Sequence, residues 1–382
     1  MTGWKEEKLE NIFYIVKEVY KPSNEHQYKY VGLEHIEQGT LRLNGWGYSN
    51  SVQSNKYFFK KDDILFGKLR PYFRKVIKAP FDGVCSTDIW VCRAKKDFDQ
   101  NFLFYFLANQ EFIDTANSTD EGTRMPRADW NYLKKTTWII PPLPEQKAIA
   151  EVLSSLDDKI DLLTRQNNTL EDLGQAFFRK WFVEDADEKL KKYPLSELMV
   201  IQNGFAFRSR DYQDAGKYKI VTIKNVQDGF IDTSGTTFLN QLPVGMPDYV
   251  LLTIGDVLIS LTGNVGRVGI VVEDNLLLNQ RVAKISPYNP EYLPFLYFYF
   301  RNETTREYLI NLAHGTAQAN LSPIETLKTE VSFSKTLIKK YSELFMPMYQ
   351  KIIKNKQQII VLQKLRDTLL PKLISGEIRL KM

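Results

Sequence analysis

Cysteine and histidine are scarce in this chain: two and three residues among 382. Cys85 and Cys92 cannot build a disulfide framework, and their spacing matches no common zinc motif, so two reduced buried thiols are expected. His26, His35 and His314 lie far apart with no nucleophile signature beside them, which leaves them structural roles. No Walker A sequence occurs. Nor does an Asn/Asp-Pro-Pro-aromatic methyltransferase motif, because Pro141-Pro142-Leu143 lacks both the residue needed before it and the aromatic after it. The densest apolar run, PFLYFYF at 294–300, is far too short to span a bilayer. The opening MTGWKEEKLENIFY has no apolar signal core. These absences predict a soluble, cytoplasmic protein with no catalytic residues, cofactor or metal.

What is present is ordinary for a folded chain, apart from generous Phe and Tyr. The length predicts two or more domains. A formal charge of +5 permits an anionic partner without demanding one.

Residues 141–182 (PPLPEQKAIAEVLSSLDDKIDLLTRQNNTLEDLGQAFFRKWF) organise the rest. Prolines 141, 142 and 144 end the preceding segment and suit a first helical turn. Beyond them Ile149, Leu153, Leu156, Ile160, Leu163, Leu170, Phe177 and Trp181 recur at steps of four and three, broken only by Asn167 and Gly174. That is a coiled-coil period, and it needs a partner helix.

An internal repeat supplies the partner. YKIVTI at 218–223 echoes YKYVGL at 28–33, GDVLI at 255–259 answers DDILF at 62–66, and EYLPFLYFYF at 291–300 answers NFLFYF at 101–106. VQDGFI at 226–231 echoes IEQGTL at 36–41, and Gly315-Thr316 answers Gly122-Thr123, at an offset of about 190 to 193. The first half reads as short strands (28–33, 41–43, 64–66, 84–91), a helix at 102–108 and a loop at 117–126. A period near half the chain is a duplication. Shifting the seam by 192 gives Tyr341, Phe345, Met348, Ile352, Asn355, Ile359, Leu362, Arg366, Leu369 and Leu373, eight of ten apolar.

The fold class is therefore α+β: two similar mixed α/β domains separated by two long antiparallel helices in a coiled coil, with pseudo-two-fold symmetry. Aligning the helix ends pairs Ile149 with Leu373 and Trp181 with Tyr341. Asn167 and Asn355 then share one layer, a polar register mark, and Gly174 faces Met348.

At this point the chain resembles the specificity subunit of type I restriction-modification systems. Residues 141–182 look like that family's central conserved region, and LRDTLLPKLISGEI at 365–378 looks like its distal counterpart. DILFGKLRPY at 63–72 and APFDGVCS at 79–86 are similar to one recognition-domain subtype. NGFAF at 203–207, TGNVGRVG at 262–269, NQRVA at 279–283 and HGTAQANL at 314–321 resemble another. The second helix departs from the pattern, since SKTLIK at 334–339 stands where PPLPEQ would.

The resemblance implies two target-recognition domains, 1–140 and 186–332, each docking on half of a split site in double-stranded DNA. It implies helical regions at 141–185 and 333–382 that set the spacing and carry two modification (methyltransferase) subunits. A separate restriction and translocase subunit joins the full complex. The specificity chain itself is not an enzyme.

Residues 56–78 hold eight basic residues against Asp62 and Asp63, interleaved with aromatics. Lys68, Arg70 and Arg74 are the DNA-facing candidates there, with a solvated strand face as the plain alternative. Arg124 and Arg127 in GTRMPR could form a base-reading loop or a connector. In the second domain the candidates are Lys224, Asn225, Asn264, Arg267, Gln318 and Asn320. Gly263–Gly269 is read as a hairpin because no helix-opening Lys-Ser/Thr follows. Asp157, Asp158 and Asp161 are expected on a solvated helix face beside Lys159 and Arg165. Phe178 and Phe182 either pack under the adjoining domain or dock a modification subunit. The rival functions are a DNA-cleaving or DNA-modifying enzyme in its own right and a coiled-coil adaptor with two protein-binding heads.

Overall fold

The structure, a computed structural model, describes residues 3–23, 26–118, 125–185, 192–314, 320–332 and 334–380. The chain forms two compact units, unit 1 from 1–159 and 362–382 and unit 2 from 160–361. Four helices organise the two units: α1 (Gln100–Ala108), α2 (Leu143–Arg179), α3 (Leu293–Arg301) and α4 (Lys335–Ile374).

In unit 1 a four-stranded antiparallel sheet has the order Phe13–Val16, Ile89–Ala94, Ile64–Gly67, Val76–Lys78. Ile64–Gly67 is buried throughout, as a central run of branched and aromatic residues should be. A five-stranded sheet orders Val19–Tyr20, Lys56–Phe59, Gly83–Cys85, Lys29–Val31 and Gly47–Tyr48. Its Lys29–Val31 and Gly83–Cys85 pair is parallel. The strand expected over 84–91 is two strands in different sheets. A turn at Ser86 divides them, where Ile89 N donates to Ser86 O at 3.0 Å and Asp88 N to Ser86 Oγ at 3.2 Å. Asp99 caps α1 by accepting from Phe102 N at 2.9 Å, and every side chain from Phe102 to Ala108 is buried. A helix apolar on all sides is a core helix.

Unit 2 repeats this topology. Met199–Asn203, Val282–Pro287, Val257–Ser260 and Val268–Ile270 follow one another in the same order, with Gly229–Phe230 added at the edge. Thr237–Leu239, Tyr218–Val221 and Leu276–Leu278 form the second sheet, the last two again parallel. α3 takes the place of α1. The repeat in sequence is thus a repeat in strand order, and the glycine-rich 263–269 stretch lies in an antiparallel hairpin.

Each long helix gives one part to unit 1 and the remainder to unit 2, and within each unit the two parts run antiparallel. α2 begins after Pro142, whose carbonyl accepts from Glu145 N at 2.9 Å and Gln146 N at 3.0 Å. It passes into a π-turn at Lys180–Glu184, which takes Trp181 off the α-helical period. In unit 1, Ile149, Leu153, Leu370 and Leu373 join the core around α1. Glu145, 1% exposed, accepts from Trp4 Nε1 at 2.9 Å and from Arg379 Nε at 2.5 Å and Nη2 at 2.8 Å. Arg366, a polar break in the predicted seam, is 2% exposed and donates to Asp157 Oδ1 at 2.8 Å and Thr40 O at 3.2 Å. Asp157 also accepts from Tyr105 Oη at 2.7 Å. It is therefore a buried-seam partner and not, as expected, part of a solvated face.

In unit 2, Asn355 Nδ2 donates to Asn167 Oδ1 at 2.9 Å and to Gln166 Oε1 at 2.8 Å. Trp181 and Tyr341 meet edge to face at 5.9 Å. Gly174 corrects another expectation. The space beside it is filled by the Phe298 ring, 2.2 Å from where a Cβ would stand, and its carbonyl accepts from Tyr341 Oη at 2.8 Å. Packing of α3 against α2 demands the glycine, not Met348.

Candidate nucleic-acid interface

In unit 1 the strand Ile64–Gly67 runs into a turn of basic residues pinned on two sides. Lys68 N donates to Asp88 O at 2.9 Å, Ala128 N to Lys68 O at 2.9 Å, and Arg70 N to Pro126 O at 2.8 Å. Leu69 and Arg127 form an isolated antiparallel bridge. Lys68, Arg70, Arg127 and Asp88 thus share one lip, where Arg127 Nε lies 3.6 Å from Asp88 Oδ1. Arg74 does not join them. Its Nε donates to Ala108 O at 2.7 Å and its Nη2 lies 3.7 Å from Asp367, while burial pulls its pKa below the usual arginine value against the pull of Asp367. That guanidinium is engaged inside unit 1. Arg124 lies outside the described residues.

Unit 2 builds the same lip 193 residues later. Leu261 N donates to Arg281 O at 3.1 Å, Leu321 N to Leu261 O at 2.8 Å, and Thr262 bridges Asn320. A groove of about 900 Å³ opens there, lined in part by Asn203, Thr262, Gly263, Gln280, Arg281 and Asn320. A second groove, of about 530 Å³, shares Ile223, Gln280 and Arg281 with the first and adds Lys224 and Thr236. Asn203, Lys224, Gln280, Arg281 and Asn320 are exposed on these walls.

Of the residues named from sequence, Lys224 and Asn320 line these grooves, and Asn264 is exposed on the hairpin beside Gly263. Asn225 lines the second groove but is 6% exposed with its amide engaged. Its Oδ1 accepts from Thr222 N and Oγ1, each at 2.8 Å, and its Nδ2 donates to Asp232 O at 2.8 Å. It is a turn clamp. Arg267 Nη1 donates to Gln227 Oε1 at 2.9 Å. Gln318 lies outside the described residues. Gln280 and Arg281, not named from sequence, also line both grooves; the repeat offset places Arg281 on Asp88, an acidic residue that gives no such signal.

The aromatic pair expected either to pack or to dock is accounted for by packing. Phe178 is 3% exposed in the core of unit 2, and Phe182 is half-buried against Phe295 at 4.9 Å and Tyr341 at 5.4 Å. Cys85 and Cys92 are buried and unbridged, and burial raises both thiol pKa values, which leaves them unreactive. Among the described residues no group of His, Cys, Asp and Glu is placed to hold a metal, and no helix is long and apolar enough to cross a membrane.

Fold and site together define an α+β protein with a duplicated head, each copy bearing a polar lip at the same turn. Residues 1–172 and 187–334 match the type I restriction modification DNA specificity domain, and the chain belongs to that family, the specificity subunits of type I restriction-modification systems. It is similar to the type I restriction enzyme MjaIX specificity subunit of Methanocaldococcus jannaschii, at 26% identity over 334 residues, covering 81% of this chain and 72% of that one. It is likewise similar to the HindI specificity subunit of Haemophilus influenzae, at 23% identity over 404 residues, covering 85% and 88%. The crystal structure of a type I restriction-modification S subunit from M. genitalium shares the fold, with a TM-score of 0.60 at 19% identity over 99% of this chain and 96% of that one.

Proposed function

We propose that this chain is the non-catalytic, DNA-reading subunit of a cytoplasmic type I restriction-modification complex. The target-recognition domains, 1–140 and 186–332, each contact one half of a bipartite site in double-stranded DNA. The helical regions, 141–185 and 333–382, set the unread gap and dock two modification subunits, while a restriction and translocase subunit completes the assembly. The observation that supports this reading is the repeated lip, Lys68, Arg70 and Arg127 in one head and Gln280, Arg281 and Asn320 in the other, with Lys224 on the adjoining groove. Lysine and arginine position phosphates, arginine suits guanine, and asparagine and glutamine suit adenine. Residues 149–181, at about 1.5 Å each, make a rod of ~50 Å, roughly 15 base pairs of B-form rise.

Co-expression with the modification subunits, followed by genome-wide mapping of methylated adenines, tests the proposal. A split motif that appears only with this chain is expected, with duplex binding that weakens as salt rises. Methylation independent of this chain, or cleavage or methylation by the purified chain alone, would refute it.

A further inference from the structure

The two heads each leave one buried polar side-chain atom without a partner at the same turn. In unit 1 it is Nε of Arg70, and in unit 2 it is Oγ1 of Thr262, neither bonded among the described residues. Leu69, next to Arg70, bridges Arg127 as Thr262 bridges Asn320, so the two orphans lie on neighbouring positions of equivalent turns, Thr262 answering Leu69 and Gly263 answering Arg70. A buried polar atom without a partner is costly, so each turn favours a ligand of its own that satisfies it.

Arg70 carries a second cost. Its backbone is left-handed, φ 52° and ψ 65°, a region that favours glycine, and unit 2 meets the same demand with Gly263 at φ 71°. Arg74, the other left-handed arginine of this turn, is explained within the fold by its bond to Ala108 O. Nothing comparable engages Arg70 Nε among the described residues. The backbone around Arg70 is meanwhile fixed, since its N–H donates to Pro126 O and its carbonyl accepts from Phe73 N at 3.0 Å. A planar donor fork carried on a fixed backbone suits an acceptor pair with fixed geometry, whereas Lys68 at the same lip serves a phosphate equally well from a flexible stem.

We propose that Arg70 reads a guanine, through O6 and N7 in the major groove, within the half-site contacted by unit 1. This rests on the proposed function and adds a base to it.

The test uses Arg70→Gly and Arg70→Lys in the complex with the modification subunits, read by methylome mapping and by binding to duplexes with single-position changes. Arg70→Gly relieves the backbone, so its melting temperature should equal or exceed the parent's. Discrimination should fall roughly ten- to hundred-fold at one G·C pair of one half-site and leave the other half-site intact. Arg70→Lys keeps the charge but loses the fork, and it should relax the same position. An unchanged motif in both variants would overturn the assignment, as would even weakening on every sequence with a shallower salt dependence, which marks a phosphate contact. If the unmutated complex methylates no split motif at all, the proposed function itself falls.

Discussion

Lys356 is a cation held away from water. Its Nζ sits 3.4 Å from Glu171 and 5.8 Å from the centre of the Phe230 ring. Burial, and after it the nearby Arg301 guanidinium, lower its pKa from 10.5 to about 8, with Asp228 opposing. The folded chain therefore gives up this proton near pH 8, while the unfolded chain keeps it until about 10.5. Between those values the unfolded state binds more protons, so stability rises with pH; below pH 8 the penalty is present in full. Urea denaturation should register a gain of about 1–3 kcal/mol between pH 8 and 10, and Lys356→Met should flatten it. A parent profile already flat over that window would count against the assignment. Arg301 is treated similarly by its surroundings. Burial, with Arg306 adding to it, lowers its pKa to about 10 even though it is paired to Glu171.

Periodicity carries the element scale. Steps of three and four marked both long helices, and the repeat located α4, which starts at Lys335, ahead of the first seam residue inferred from sequence. The aromatic helices were legible for a related reason, because FLFYFLA has no polar side to show to water. Partners that come from other elements were not legible. Nothing local to α2 says that Asp157 will meet Arg366 and Tyr105, or that Gly174 must clear Phe298. The π-turn at 180–184 is another departure that a regular period cannot announce.

The asparagine layer makes a prediction at this scale. Asn355 is fully buried, Asn167 is 4% exposed, and Asn355 Oδ1 has no partner among the described residues. Replacing Asn355 alone with Leu strands the Asn167 Oδ1, while its Nδ2 keeps Ile352 O, and should cost about 1–3 kcal/mol in chemical denaturation. Replacing both with Leu should recover most of that loss while weakening the preference for one register. A double-mutant cycle measures the coupling, and purely additive costs would deny the pair its role.

At the scale of the molecule, duplication matters more than any single contact. One strand order serves twice, so a turn can carry Arg70 in one head and Gly263 in the other while the supporting ladder stays the same. The strands and their repetition were legible in branched and aromatic runs, but their order in each sheet and the identity of the lip depend on which segments the fold brings together, here beside residues 68–70. On the proposed function, excising one heptad from each long helix at matched positions should shorten the unread gap by about three base pairs and leave both half-sites as they were. Methylome mapping reads this directly, and an altered half-site would contradict it.

The clasp of Trp4, Glu145 and Arg379 also sets an order in time. A ribosome makes Trp4 and Glu145 long before it makes Arg379, and the segment 362–382 that completes unit 1 follows all of unit 2. Unit 2 is uninterrupted in sequence and is fully synthesised first. During translation the Glu145 carboxylate waits without its guanidinium, and the head begun earliest is the last to close. A chain cut short by residues 362–382 would lose the segment that completes unit 1 and keep all of unit 2.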